Sequence, residues 1–158
     1  MSSRLFQEVR EERGLAYTVF TSPSSYADSG VLVLYAGTAP ARLGELLDVV
    51  GDVLDGLLAD GITDAELEVA KGYLEGATLL GLEDSGSRMA RLGAGLTSRG
   101  EIIPVAEHLA RTRAVTAGDV RRVLRRVVGS PASICLVGPF DEDEPVLAGA
   151  VERAAARV

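Results

Sequence analysis

Leu5-Phe6-Gln7-Glu8-Val9-Arg10-Glu11-Glu12-Arg13-Gly14-Leu15-Ala16-Tyr17 is the stretch on which the fold turns. It reads as a helix with Leu5, Phe6 and Val9 as its apolar stripe, stopped at Gly14 and followed at once by a strand. Ser2 or Ser3 is placed to cap the helix start. A guanidinium (Arg10 or Arg13) and a phenol (Tyr17) fall on either side of the turn. Both groups donate hydrogen bonds, and neither is a nucleophile or a metal ligand, so the segment suits holding a ligand rather than cutting it. A strand returning past the helix end can aim both side chains at one spot. There they can bind a peptide carbonyl or stabilise an oxyanion made by another group. Spacing alone favours a plainer arrangement, an arginine at a helix end and a tyrosine on a sheet with no joint role.

Outward from this segment, Leu15 to Ser22 carries β-favourable types and Pro23 to Gly30 has a turn composition. Val31-Leu32-Val33-Leu34-Tyr35-Ala36 is an apolar run of strand length, so the two runs read as an antiparallel hairpin with a longish loop. Apolar residues at every position predict cover on both faces of the second strand. The period then becomes helical. Leu43, Leu46, Leu47, Val50, Val53, Leu54, Leu57 and Leu58 keep helical spacing between Pro40 and Gly61. Thr63-Asp64-Ala65-Glu66 is a capping-box sequence opening a second long helix, with Leu67, Ala70, Leu74 and Ala77 expected on its inner face. Gly81 to Gly86 predicts a break. Further helices follow: one carrying Met89, Leu92 and Leu96 to Gly100, one opened by Pro104, and one capped by Thr116 with Val120, Val123, Leu124 and Val127 inward.

Ala132 to Val137 predicts a third strand with Cys135 buried on it, closed by Gly138-Pro139. The fold class is α+β, a mainly antiparallel sheet of at least three strands covered by several helices on one face. Residues 1–140 read as one domain. Residues 141–158 read as a charged linker and a loosely held Ala-rich helix. Three strands are few for this length, and the chain starts within a helix, so the sheet is expected to lack at least one strand. A partner chain or the N-terminal part of a longer protein is expected to supply it, and the bare edge predicts self-association.

Composition narrows the function classes. The chain has 158 residues, 47% hydrophobic and 25% charged, which suits one globular domain and not disorder. A net charge of −7 disfavours attraction to nucleic acid or anionic lipid. The single cysteine excludes an intrachain disulfide and fits a reducing compartment. No run nears the roughly 20 apolar residues of a membrane span, and the N-terminus lacks the apolar core of a secretory signal. A cytoplasmic protein is expected.

The remaining chemical motifs are weak. His108 is the sole histidine and Cys135 the sole cysteine, too few donors for a catalytic zinc, which needs about three protein ligands. His108 is expected on or near a helix surface. A serine triad would need that same histidine. The run Gly93-Ala94-Gly95-Leu96-Thr97-Ser98-Arg99-Gly100 follows a helical stretch rather than a strand, so it reads as a helix end and not a phosphate loop. The carboxylate pairs Glu66/Glu68 and Glu83/Asp84 read as solvated helix faces. So does the Arg121, Arg122, Arg125, Arg126 cluster, where positive charge favours a helix C-terminus.

Met1 to Tyr17 nevertheless closely resembles the C-terminal half of the insulinase/pitrilysin/mitochondrial-processing-peptidase family of zinc peptidases. Further motifs are similar to the same family in the same order: Tyr35-Ala36-Gly37-Thr38, Ile62-Thr63-Asp64-Ala65-Glu66-Leu67 with Ala70-Lys71, and Ser87-Arg88-Met89-Ala90-Arg91-Leu92-Gly93. The likeness spans about residues 1 to 138. It implies one of two similar α+β halves that close around an unfolded peptide. The other half carries the H-x-x-E-H zinc signature, in which the metal activates water. The C-terminal half contributes an Arg and a Tyr to substrate and transition-state binding. These fall on Arg10 and Tyr17, with Arg13 a nearby competitor. This chain has no H-x-x-E-H. The resemblance therefore implies a substrate-binding half of a zinc endopeptidase, truncated at its N-terminus. Zinc is expected only in a full-length or partner-completed enzyme, and the isolated chain is expected to hydrolyse nothing. Its implied partners are a peptide substrate and a catalytic half or subunit, with no nucleic acid and no membrane. The family also contains non-catalytic scaffold members, which is the alternative reading.

Overall fold

Gly14 ends the first helix in the left-handed conformation (φ +56°), which only glycine adopts without penalty. Its N–H donates to Arg10 O at 3.1 Å, and the Leu15 N–H donates to Val9 O at 2.7 Å. A computed structural model describes residues 3–26, 28–141 and 145–155. Within it, the helical run expected before Gly14 is a π-helix, Phe6–Glu12, wider than an ordinary α-helix. Of the expected caps, Ser2 lies outside the described residues, while Ser3 Oγ accepts from the Phe6 N–H at 3.3 Å.

Strands β1 (Ala16–Ser25) and β2 (Gly30–Thr38) follow as an antiparallel hairpin. A 3-10 turn at Pro40–Arg42 leads into helix α1 (Leu43–Asp60). Then come α2 (Asp64–Gly81), α3 (Ser85–Arg99), α4 (Val105–Ala114), α5 (Ala117–Val127) and α6 (Pro145–Ala155). The fold is α+β. Local signals account for the helix limits. Thr63 and Glu66 form the reciprocal capping box at the start of α2. Asp84 caps α3 by accepting from the Ser87 N–H at 2.6 Å, and Gly100 closes α3 at φ +72°. Thr116 and Asp119 make the same reciprocal pair before α5. No described helix is long and apolar enough to cross a membrane.

The chain divides into two compact units. One comprises residues 1–25, 30–61 and 122–158. Its core joins Leu5 and Val9 of the first helix, Leu15, Ala16 and Val19 of the turn and β1, and Leu43, Leu46 and Val49 of α1. Leu34, Ala36, Leu136, Phe140 and Val146 pack around this core. Helix α6 lies on α1, with Ala150 buried. The other unit comprises residues 26–29 and 62–121. There Arg113 of α4 pairs with Glu75 of α2, and Arg91 of α3 donates to Ile103 O at 2.8 Å.

Four expectations are corrected. The described sheet has two strands, not three: residues 131–137 are irregular. An apolar run has strand propensity, but a strand exists only beside a hydrogen-bonding neighbour, and none of the described strands pairs with this run. Cys135 is consequently exposed rather than buried. On β2, Val31, Leu32, Val33 and Tyr35 are exposed, so the run is covered on one side only, through Leu34 and Ala36. On α2, Leu67 is buried but Ala70, Leu74 and Ala77 are exposed; helical spacing sets a common face without supplying something to cover it.

Candidate functional site

The register of the hairpin decides where Tyr17 points. Ala16 pairs with Thr38 and Thr18 pairs with Gly37, so β1 carries one extra residue, Tyr17, at a β-bulge. A bulge breaks the alternation of faces and re-aims a side chain. Here Ala16 and Val19 are buried while both residues between them are exposed, and Tyr17 is 81% exposed. Its ring turns back over the preceding helix.

The Arg10 guanidinium meets it there. Arg10 Cζ lies 4.7 Å from the centroid of the Tyr17 ring and 4.9 Å from that of Phe6, one helical turn earlier. The guanidinium thus contacts two aromatic rings, each contact favourable by about 0.5–1 kcal/mol at an exposed site. Its one carboxylate neighbour among the described residues is Glu11, at 3.9 Å, and its N–H groups make no hydrogen bond there. The Arg10 side chain is 37% exposed.

Arg13 is engaged differently. Its Nη1 donates to Glu8 O at 3.0 Å and to the Glu8 carboxylate, with Glu12 at 3.8 Å. The hydrogen bond to Glu8 holds its pKa above the ordinary arginine value. The structure therefore brings Arg10, not Arg13, to Tyr17. Phe6 is the member of the cluster that the sequence reading assigned to the apolar stripe alone; its position four residues before Arg10 was the available signal.

The turn itself is held from outside. Arg42 Nη2 donates to Arg13 O at 3.2 Å, Arg42 Nη1 donates to Gly14 O at 3.0 Å, and Thr38 Oγ1 donates to Leu15 O at 2.6 Å. These contacts join residues more than 20 positions apart, and nothing in the local pattern announced them.

Elsewhere the chemistry is sparse. Among the described residues no three His, Cys, Asp or Glu side chains are grouped to hold a metal. His108 is half-buried on α4. The glycine-rich run lies in the last turns of α3 and its C-terminal stop. Glu66 serves the α2 cap, Glu68 pairs with Lys71 at 3.2 Å, and Asp84 serves the α3 cap. The four arginines of α5 are exposed. In the unit of residues 62–121, Arg88, Met89, Leu92, Leu96 and Ile102 line an open apolar groove of about 520 Å³.

Residues 1–74 match the family model described as the Peptidase M16 inactive domain. Over 144 residues, 91% of this chain, the sequence is 45% identical to an uncharacterized zinc protease of Streptomyces coelicolor, covering 31% of that protein. It is 44% identical to an uncharacterized zinc protease of Mycobacterium tuberculosis, over 88% of this chain and 32% of the relative. It is 38% identical to the uncharacterized zinc protease YmxG of Bacillus subtilis, over 88% and 34%. A crystal structure of a conserved protein from Enterococcus faecalis V583 superposes with a TM-score of 0.65 at 25% identity, over 78% of this chain and 29% of that one. The chain spans about a third of the length of these curated relatives.

Proposed function

The chain belongs to the M16 zinc peptidase family, as part of its C-terminal, inactive half, and we propose that it binds an extended peptide through Arg10 and Tyr17 for hydrolysis elsewhere in the whole protein. The observation that carries this reading is the stacked guanidinium. The rings of Phe6 and Tyr17 hold the plane of Arg10 while its N–H edges make no hydrogen bond among the described residues. A guanidinium so held can donate to a peptide carbonyl without a further ordering cost, and a charge-assisted bond strengthens as negative charge grows on that oxygen. The Tyr17 hydroxyl, exposed at the bulge, is the second donor.

The residues described here do not fit a catalytic zinc. They offer one histidine, one cysteine and no group of three donors. On this reading the metal belongs to a part of the enzyme outside these residues, on the same polypeptide or on a partner. The 158-residue chain then binds peptide without cleaving it.

The test is peptide binding. A fluorescein-labelled unfolded casein peptide should bind the chain by anisotropy, and Arg10→Ala should weaken that binding while costing no more stability than the two lost ring contacts, about 1–2 kcal/mol. Equal affinity in the Arg10→Ala protein would favour the scaffold reading, in which the domain supports an assembly and holds no substrate. Self-association through the bare edge of the hairpin, where Val31, Val33 and Tyr35 are exposed, is a separate element. A monomer in concentrated solution by light scattering counts against it.

A further inference from the structure

We propose that Arg42 and Thr38 are positioning residues for the Arg10–Tyr17 pair, an inference that rests on the peptide-binding reading. The helix end leaves its last carbonyls without intrahelical partners. Just beyond it, three successive carbonyls of the turn, those of Arg13, Gly14 and Leu15, are taken by side chains of Arg42, in the connector before α1, and Thr38, the last residue of β2. The planar fork of Arg42 spans two of them. Because its N–H groups stand in fixed geometry, it sets the relative orientation of the two peptide planes that flank Gly14. Glu45, whose Oε2 lies 3.1 Å from Nη2, holds Arg42 in turn. Thr38 takes the third carbonyl and is also the ladder partner of Ala16, at the edge of the bulge. The end of β2 and the connector thus grip the backbone from Arg13 to Ala16.

This grip bears on the site because ring contacts, and no hydrogen bond among the described residues, hold the guanidinium. Arg10 leaves from the helix and Tyr17 from the strand, and the angle between the two elements decides whether guanidinium and ring meet. That angle is set at Gly14, where a glycine with open space around it imposes no preference by packing. Arg42 and Thr38 supply the constraint that the glycine lacks.

The test reads the contact itself in the isotopically labelled 158-residue chain. Nuclear Overhauser contacts from the Arg10 side chain to the Tyr17 ring report the pair. Those from Arg10 to the Phe6 ring, within one helix, are the internal control. Arg42→Lys keeps the charge and removes the fork; Thr38→Val removes the hydroxyl and Thr38→Ser retains it. Arg10–Tyr17 contacts should be lost in Arg42→Lys and Thr38→Val and kept in Thr38→Ser, while Arg10–Phe6 contacts persist in all three. Casein-peptide affinity should fall in the same two variants. Intact Arg10–Tyr17 contacts in both overturn the inference. Loss of both sets of contacts together also overturns it, because Arg42 and Thr38 would then fold the segment rather than position the pair. If Arg10→Ala leaves peptide affinity unchanged, the peptide reading fails. If Arg10→Ala weakens binding but Arg42→Lys and Thr38→Val change neither contact nor affinity, only the positioning inference fails.

Discussion

The guanidinium of Arg10 lies 4.7 Å from the centroid of the Tyr17 ring, although a helix end, a left-handed glycine and a strand entry separate them. Three features cooperate in this: the Gly14 turn, the bulge that re-aims Tyr17, and the Phe6 ring, whose centroid lies 4.9 Å from Arg10 Cζ.

Tyr17 carries a ring and a hydroxyl with separable duties. Tyr17→Phe should keep the stack and the melting temperature yet weaken casein-peptide binding. Tyr17→Ala should also lose the stack, worth about 0.5–1 kcal/mol of stability. Chemical denaturation of both variants, with anisotropy alongside, checks this. Undiminished affinity in Tyr17→Phe would remove the hydroxyl from the site.

Gly14→Ala should destabilise the unit of residues 1–25, 30–61 and 122–158 by about 1–2 kcal/mol, the cost of the left-handed conformation for an L-residue. No atom lies within 4 Å of where the new Cβ would stand, so the cost is backbone strain and not crowding. Urea titration measures it. A variant as stable as the parent would show that the turn tolerates another conformation.

Acid should loosen the unit that holds α2 and α3. The Ser87 N–H, bonded to the Asp84 carboxylate, holds the pKa of Asp84 below the ordinary value, and Arg113 does the same for Glu75. A depressed folded-state pKa contributes stability that is present above the unfolded value of about 4 and lost as pH falls through the folded value. The melting temperature should therefore change little from these groups between pH 7 and about 5, then fall toward about pH 3. An Asp84→Asn/Glu75→Gln chain should lose less over that acid limb. Parallel acid limbs in the two proteins would contradict the assignment.

Cys135 should react with a disulfide reagent in the folded chain at a rate close to that of the urea-unfolded chain, because it is exposed. Colorimetric thiol titration gives both rates. A native thiol that stays unreactive until unfolding would return Cys135 to the buried strand position its apolar neighbours suggest.

Much of the fold was legible in the sequence because its signals are local. Thr63 and Glu66, and Thr116 and Asp119, each lie within one helical turn of their partner, so short patterns name those helix starts, whereas Asp84, read as half of a solvated carboxylate pair, is the cap of α3. Gly14 and Gly100 mark their helix ends by the left-handed conformation that glycine alone adopts freely. The family motifs are likewise contiguous strings. The third strand was misread because an apolar run reports what a segment can do, while a ladder requires a second segment whose position the string does not contain.

The sequence by itself determined the α+β class, the caps at Thr63 and Thr116, the family resemblance, and the presence of Arg10 and Tyr17 on either side of a glycine turn. Only the tertiary structure decided that Arg10 and not Arg13 meets the tyrosine, that a bulge exposes Tyr17, and that Thr38 and Arg42 hold the turn. The physical reason is one of range. Capping and glycine conformation are settled by neighbours along the chain, whereas strand register and the choice between two guanidiniums depend on groups that only folding brings near.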